Sequence, residues 1–126
     1  MKALKKQLDR LVQEIICIRD HGICARCDCK YEVGGHHLIY KSQSLRLRYD
    51  PLNLVSLCYK CHTPFTHGKP KEFLEWSEVK FPGRLDKLKA MDEIVHWNKF
   101  DLLEIKEQLE RKRDEYLNRS RSIDQR

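Results

Sequence analysis

The stretch CARCDCKYEVGGHHLIYKSQSLRLRYDPLNLVSLCYKCHTPFTH, residues 24–67, decides how this chain folds. Two Cys-x-x-Cys pairs bracket it, Cys24 with Cys27 and Cys58 with Cys61. The chain opens without an export signal, so we expect a cytoplasmic protein, in which thiols stay reduced and such pairs bind metal. Four thiolates at this spacing suit tetrahedral Zn²⁺ and leave no coordination position for a substrate. We therefore predict a structural zinc knuckle formed by Cys24, Cys27, Cys58 and Cys61.

The other cysteines leave alternatives open. Cys29 offers a substitute ligand beside Cys27, while Cys17 is expected to be a small core residue on the apolar side of a helix. A redox Cys-x-x-Cys or plain buried thiols are the rival interpretations of the pairs. Neither rival explains why two pairs bracket a histidine-rich segment.

Helical periodicity precedes this stretch and β-type runs lie within it. Apolar residues recur at steps of three and four from Leu4 to Ile18, which predicts an amphipathic helix over residues 1–20. His21-Gly22 is expected to end that helix. Within the stretch, residues 37–40 and 54–57 are predicted strands.

Three more helices are predicted after Gly68. The first stops near Phe81, and the second carries an apolar series from Leu85 to Val95. Asn98 is the expected N-cap of the third, which reaches about Asn118.

A length of 126 residues suits one domain. We expect a single domain over 1–126, made of an N-terminal helix (1–20), a zinc core (21–68), a helical extension (69–118) and a mobile basic tail (119–126).

Composition and charge narrow the class of protein further. With 40% hydrophobic residues, the chain is expected to fold, and it has no apolar run long enough to span a membrane. The net charge is +6, and residues 21–71 carry eight Lys and Arg against three acids. Such an excess favours a phosphate-binding surface, with a merely solvated basic surface as the alternative.

The histidines and one asparagine of the stretch carry a resemblance to a known family. Gly34-Gly35-His36-His37 is followed by Asn53, sixteen residues after His37, and by His62, nine residues after Asn53. This pattern resembles the HNH, or ββα-metal, endonuclease motif, and the ending Cys-x-x-Cys-His resembles its zinc-bearing subgroup. The resemblance covers about residues 24–67.

Residues 47–53, Leu-Arg-Tyr-Asp-Pro-Leu-Asn, and the helical region after the motif are similar to the phage NinG (Rap) recombination nucleases, which act on branched DNA. This similarity implies a role in phage recombination at structures such as Holliday junctions. The compartment would then be the host cytoplasm.

The resemblance implies a role for each motif residue. His37 would be the general base, and His36 with His62 would bind a catalytic Mg²⁺ or Mn²⁺ that contacts the scissile phosphate. Asn53 would fix the loop carrying the base. Many HNH motifs close with a histidine four residues after the helix ligand, which here is Thr66. His67 is five residues on and would point about 100° further around an α-helix, so its role stays open.

DNA is the expected partner, and the contacts would be to its backbone. Lys41, Arg46, Arg48 and Lys60 flank the motif and are candidates to neutralise phosphates without reading sequence. A homodimer would place two sites on related strands. The first and last helices would form its interface, or they would pack on each other within one chain.

These observations predict an α+β fold, mainly helical, with a ββα-metal core knitted by zinc and flanked by amphipathic helices. The predicted function is metal-dependent hydrolysis of phosphodiester bonds in DNA. Two alternatives stay open: a zinc-stabilised DNA-binding adaptor without activity, and a structural zinc module that binds protein through its helices.

Overall fold

A computed structural model describes the backbone of residues 1–124 and the side chains of residues 1–120. The elements in chain order are α1 (Lys2–Asp20), β1 (Val33–His37), α2 (Leu45–Arg48), a 3₁₀ turn (Pro51–Asn53), β2 (Leu54–Cys58), α3 (Tyr59–Cys61), a π-helical turn (His62–His67), α4 (Pro70–Lys80), α5 (Arg84–Met91) and α6 (Lys99–Asp124). The predicted class is confirmed, because helices dominate and one two-stranded antiparallel sheet is present within the described residues.

The sheet is formed by β1 and β2, which pair antiparallel from Val33 opposite Cys58 to His37 opposite Leu54. The second predicted strand is confirmed, but the first lies at Val33–His37 and not at 37–40. The glycines of β1 lower its intrinsic strand preference, and pairing with the fully buried β2 outweighs that cost. Beyond Leu38 the backbone bonds to the Asn53 side chain instead of β2, so β1 ends.

Two apolar clusters support the sheet from opposite sides. One joins the hairpin and the cysteines to α4 and α5, with Phe73 and Leu88 at its centre. The other joins α1 to α6 through residues such as Leu8 and Leu102. The apolar faces of α1 and α6 therefore pack on each other within one chain.

The caps of the long helices follow the sequence closely. α1 ends at Asp20 and is capped by His21, whose φ of 57° lies in the left-handed region, as expected for His21-Gly22. Before α6, the Asn98 side chain accepts from the Asp101 N–H at 2.9 Å and the Asp101 carboxylate accepts from the Asn98 N–H at 2.9 Å. This reciprocal capping confirms Asn98 as the N-cap.

Two helix ends differ from the prediction. α5 ends at Met91, and Ile94 is 92% exposed, so the apolar series to Val95 does not continue as a helix. α6 continues past Asn118 to Asp124, because nothing in the sequence breaks its hydrogen-bond ladder there. The backbone of residues 119–124 is thus helical, whereas residues 125 and 126 of the expected tail lie outside the described residues.

A membrane span was not expected from the sequence. None of the described helices is both long enough and apolar enough to cross a bilayer.

Candidate active site

The four paired cysteines come together at the base of the hairpin. The Sγ atoms of Cys24, Cys27, Cys58 and Cys61 all lie within 4.8 Å of one another, and those of Cys27 and Cys58 are 3.5 Å apart. Tetrahedral Zn²⁺ with bonds of about 2.3 Å needs sulfurs about 3.8 Å apart. The four thiols are therefore placed to hold a metal ion, as the sequence predicts, and their number and softness suit zinc.

The two unpaired cysteines lie outside this cluster. The Cys29 Sγ accepts from the Tyr31 backbone N–H at 3.3 Å, so it supports the turn after the first pair. Cys17 is exposed, and the expectation that it is a core residue is wrong. Its position on α1 lies beside the apolar face rather than within it.

Crowding of the thiols perturbs their ionisation. Burial and hydrogen bonds from neighbouring thiols raise the pKa of Cys61 to about 12. Burial also raises that of Cys58, but hydrogen bonds from the Cys61 backbone and from neighbouring thiols outweigh it and lower its pKa to about 7. Four thiolates cannot form here without a compensating cation, which is what a zinc ion supplies.

Four histidines line a second site, a cleft of about 560 Å³ between the hairpin and the π-helical turn. The rings of His36 and His62 stack with centroids 3.6 Å apart, and the Nε2 atoms of His62 and His67 are 3.1 Å apart. His37 also lines this cleft. The structure thus brings together all four histidines of residues 24–67.

His67 faces His62 because the turn between them is π-helical. In such a turn the backbone bonds run from residue i to residue i+5, as from the Gly68 N–H to the Thr63 carbonyl. Residue 67 therefore returns to the side of residue 62. The expectation that it points about 100° past the position of Thr66, as on an α-helix, does not hold. Thr66 is buried instead, and its hydroxyl donates to the His62 carbonyl.

Two residues of the sequence explain the wide turn. Pro64 has no N–H and cannot continue a regular α-helical ladder. Gly68 lies so close to it that a Cβ at residue 68 would be 2.6 Å from the Pro64 carbonyl oxygen. Pro64 was the signal in the sequence that the turn after Cys61 would not be a regular α-helix.

The stacked arrangement sets a limit on cation binding. Among the described residues, the four cysteines form the group whose ligand atoms all lie within 4.8 Å, and the histidines do not form such a group. Stacked rings turn faces rather than nitrogens toward each other. A shared cation therefore requires rotation of the His36 or His62 ring.

These imidazoles favour their neutral form. Burial lowers the pKa of His36 to about 4, assisted by the nearby charges of His62, His37 and His67. Burial and then His67 lower the pKa of His62 as well. Neutral imidazoles keep a free nitrogen lone pair, which is the form that binds cations.

His37 has a hydrogen-bond partner outside the group of histidines. Its Nε2 lies 2.9 Å from the Arg48 carbonyl oxygen, which only accepts, so Nε2 carries the proton. Nδ1 is left with a lone pair. Burial lowers the pKa of His37, although the bond to the Arg48 carbonyl opposes this. The arrangement is that of an oriented base.

Asn53 holds the loops on both sides of His37. Its Oδ1 accepts from the Ile39 N–H at 2.9 Å, and its Nδ2 donates to the carbonyls of Ile39 and Leu47 at 2.9 and 3.1 Å. Leu47 directly precedes Arg48, whose carbonyl orients His37. Asn53 therefore fixes both segments that position the histidine without touching it.

Replacement of Asn53 by alanine is expected to lower the free energy of unfolding by about 2–4 kcal/mol. The change leaves the Ile39 N–H and the Ile39 carbonyl without their Asn53 partner, and each orphaned group costs about 1–3 kcal/mol. The Leu47 carbonyl loses one bond but still accepts from the Asp50 N–H. Urea unfolding measures the loss. Asn118→Ala, at an exposed position of α6, is the matched control and should change stability by less than about 0.5 kcal/mol.

Gln13 is a positioning residue that sequence reasoning missed. From α1, its side chain donates to the Gly35 carbonyl and accepts from the Gly35 N–H, both at 2.8 Å. It thus satisfies the open edge of β1 as another strand would, next to His36. A polar residue on an amphipathic helix gives no signal of this contact, because the partner lies 22 residues away.

The predicted phosphate contacts are dispersed. Lys41 lines the histidine cleft and is exposed. The Arg48 guanidinium donates to the Asp9 carboxylate, from Nη2 to Oδ2 at 2.7 Å and from Nε to Oδ1 at 3.1 Å. This ion pair links α2 to α1, so the guanidinium is already occupied. Arg46 faces a different cleft, and Lys60 is exposed on α3. Of the four candidates, Lys41 is the one that lines the cleft.

Comparison with known proteins bears on this region alone. The model of a family described as HNH endonuclease matches residues 24–67. The matched residues contain both cysteine pairs and all four cleft histidines. No curated protein and no solved structure matches the chain. Fold and site together define a hairpin with a four-cysteine cluster that could hold a metal ion and a cleft lined by histidines, over the residues that the HNH endonuclease model matches.

Proposed function

We propose that this protein is a metal-dependent endonuclease that hydrolyses phosphodiester bonds in DNA. The observation that carries the proposal is the oriented His37 in the same cleft as three further histidines, within the residues that the HNH endonuclease model matches. A DNA-binding adaptor has no need of an oriented base beside potential cation ligands.

The His36, His62 and His67 side chains are the proposed ligands of the catalytic cation. Bound there, Mg²⁺ or Mn²⁺ would supply positive charge to the phosphoryl and leaving oxygens. We include His67 as the third ligand because its Nε2 lies 3.1 Å from the Nε2 of His62. The structural zinc holds the two ends of the hairpin segment together and takes no part in the reaction.

His37 performs the proton transfer in this proposal. Its Nδ1 accepts a proton from water, whose oxygen forms a bond to phosphorus as the bond from phosphorus to the leaving oxygen breaks. The Arg48 carbonyl accepts from the His37 Nε2–H and so holds the ring in place. A second water molecule donates a proton to the leaving oxygen. Lys41 binds a phosphate next to the scissile one.

The proposed substrate class is branched DNA, for which the support is the similarity of residues 47–53 to the phage recombination nucleases. A homodimer would serve such a substrate, since a twofold axis relates paired strands. Both statements depend on the endonuclease activity.

Cleavage of labelled linear, nicked and four-way-junction DNA by the purified protein, with Mg²⁺, Mn²⁺ or EDTA, tests the proposal. We expect metal-dependent cleavage that falls at least about tenfold in His62→Ala and His67→Ala. His96→Ala, an exposed histidine outside the cleft, is the control and should cleave normally. Faster cleavage of the junction supports the branched substrate.

Two results would replace the proposal. DNA binding without cleavage under every metal and substrate would make the protein an adaptor. Absence of salt-dependent DNA binding would instead favour a zinc module that binds protein.

A further inference from the structure

A second cleft, of about 710 Å³, lies between the α2 region and the helices α5 and α6. It shares no lining residue with the histidine cleft. Its volume falls in the range of about 300–1,000 Å³ that is usual for sites of small ligands. The proposed nuclease chemistry makes no use of it.

Basic side chains outnumber acidic ones on its walls. Five Lys or Arg residues line it, against three Asp or Glu residues. One of the five, Arg19, is occupied, since it donates to Asp20 and to the carbonyls of Pro51 and Leu54. Arg46 is also paired, since its guanidinium lies 3.7 Å from the Asp50 carboxylate and 4.0 Å from that of Glu93. The cations that remain for a ligand come from α5 and α6: Arg84, Lys87 and Lys112.

Arg84 is the cation of this cleft that is best placed to bind an anion. Within the described part of the chain its guanidinium takes part in no side-chain hydrogen bond or ion pair, and it lies 4.0 Å from the centre of the Phe81 ring. It is half-buried. Burial and the neighbouring positive charge of Arg19 lower the pKa of Arg84. The opposing carboxylate, Asp20, lies beyond ion-pair distance from Arg84 and is already bound by Arg19 and Ser56. A half-buried cation so placed is a favourable partner for a phosphate.

Aromatic rings stand beside these cations. Trp97 and Tyr116 line the cleft and are partly exposed. The Trp97 ring is supported by Tyr49, which is 3% exposed and has its centroid 6.0 Å away at an interplanar angle of 25°. A supported aromatic ring is a stacking surface for a nucleobase, worth about 1–3 kcal/mol per base in single-strand binding.

We infer that this second cleft binds a nucleoside phosphate, with Arg84 and Lys112 on the phosphate and Trp97 against the base. The ligand comes either from an unpaired nucleotide of a DNA substrate or from a free nucleotide. The first source rests on the proposed endonuclease function, whereas the second does not. Mixed cationic and aromatic lining fits this chemistry better than it fits an apolar ligand.

Indole N–H signals in ¹⁵N-correlated spectra test the inference, because the chain has two tryptophans and only Trp97 lines the cleft. Trp76, packed in the other apolar cluster, is the internal reference, and Trp76→Phe assigns the signals. The probes are thymidine monophosphate, thymidine, inorganic phosphate and 5′-phosphorylated hexathymidylate, without added Mg²⁺ or Mn²⁺. We expect thymidine monophosphate or the oligonucleotide to shift Trp97 and not Trp76.

Arg84→Gln and Lys112→Gln are each expected to weaken this binding about tenfold. Lys89→Gln removes an exposed charge from the same helix as Arg84 outside the cleft and should bind as the wild type does. Thermal melting shows that each variant is folded. Shifts with the oligonucleotide alone identify the DNA strand as the source, and shifts with the mononucleotide identify a free nucleotide.

The inference is overturned if neither probe shifts Trp97, or if folded Arg84→Gln and Lys112→Gln bind as tightly as Lys89→Gln. Metal-dependent cleavage in a separate assay would leave the proposed function standing in that case. Conversely, binding at Trp97 without cleavage would refute the endonuclease and keep the nucleotide site.

Discussion

His37→Ala is expected to slow phosphodiester cleavage by about 10²–10⁴-fold, the usual contribution of a general base. The variant removes the cleft imidazole whose Nε2 proton is held by the Arg48 carbonyl and whose Nδ1 is therefore available. Single-turnover cleavage at saturating Mg²⁺ measures the effect. Small-molecule imidazole added to the variant should restore part of the rate.

A second variant separates proton transfer from support of the loop. In His37→Gln the side-chain amide can still donate to the Arg48 carbonyl, but it offers no basic nitrogen. We expect His37→Gln to melt close to the wild type and to cleave as slowly as His37→Ala. Cleavage at the wild-type rate by His37→Gln would show that His37 only supports the loop, and the base would have to be sought elsewhere in the cleft.

Predictions from the sequence succeeded where a feature depends on local spacing. The two Cys-x-x-Cys turns meet as expected because each fixes its own pair of thiols and one hairpin joins them. The Asn98 cap was equally local, since donor and acceptor lie three residues apart. Short-range geometry leaves few alternatives for such residues.

The features that sequence reasoning missed depend on contacts between distant residues. Arg48 looked like a phosphate ligand, but its carboxylate partner Asp9 lies 39 residues earlier on α1. The position of β1 depends on β2 and on Gln13, neither of which its own glycine-rich sequence reveals. His67 was misjudged because the 3.6-residue period of an α-helix was applied to a π-helical turn.

Loss of the cysteine site is the second large effect that we expect. Cys58→Ser should abolish stoichiometric zinc binding and unfold the hairpin. Apparent binding free energies for structural zinc, about 10–16 kcal/mol, are of the same size as the whole stability of a domain, about 5–15 kcal/mol. Cys58 is the last residue of β2 and is 2% exposed, so its loss acts on the strand that carries the hairpin. Metal content by elemental analysis and thermal unfolding by circular dichroism measure both consequences.

The remaining cysteines supply the matched controls. Cys17→Ser and Cys29→Ser change thiols outside the cluster and should keep one zinc per chain with melting temperatures within about 3 °C of the wild type. Chelation of zinc from the wild type should reproduce the Cys58→Ser result, while part of the helical signal persists from the α1 and α6 cluster. An unchanged melting curve after verified zinc removal would show that the hairpin is held by its apolar contacts, such as Leu57 and Phe73, and that the four thiols are dispensable for folding.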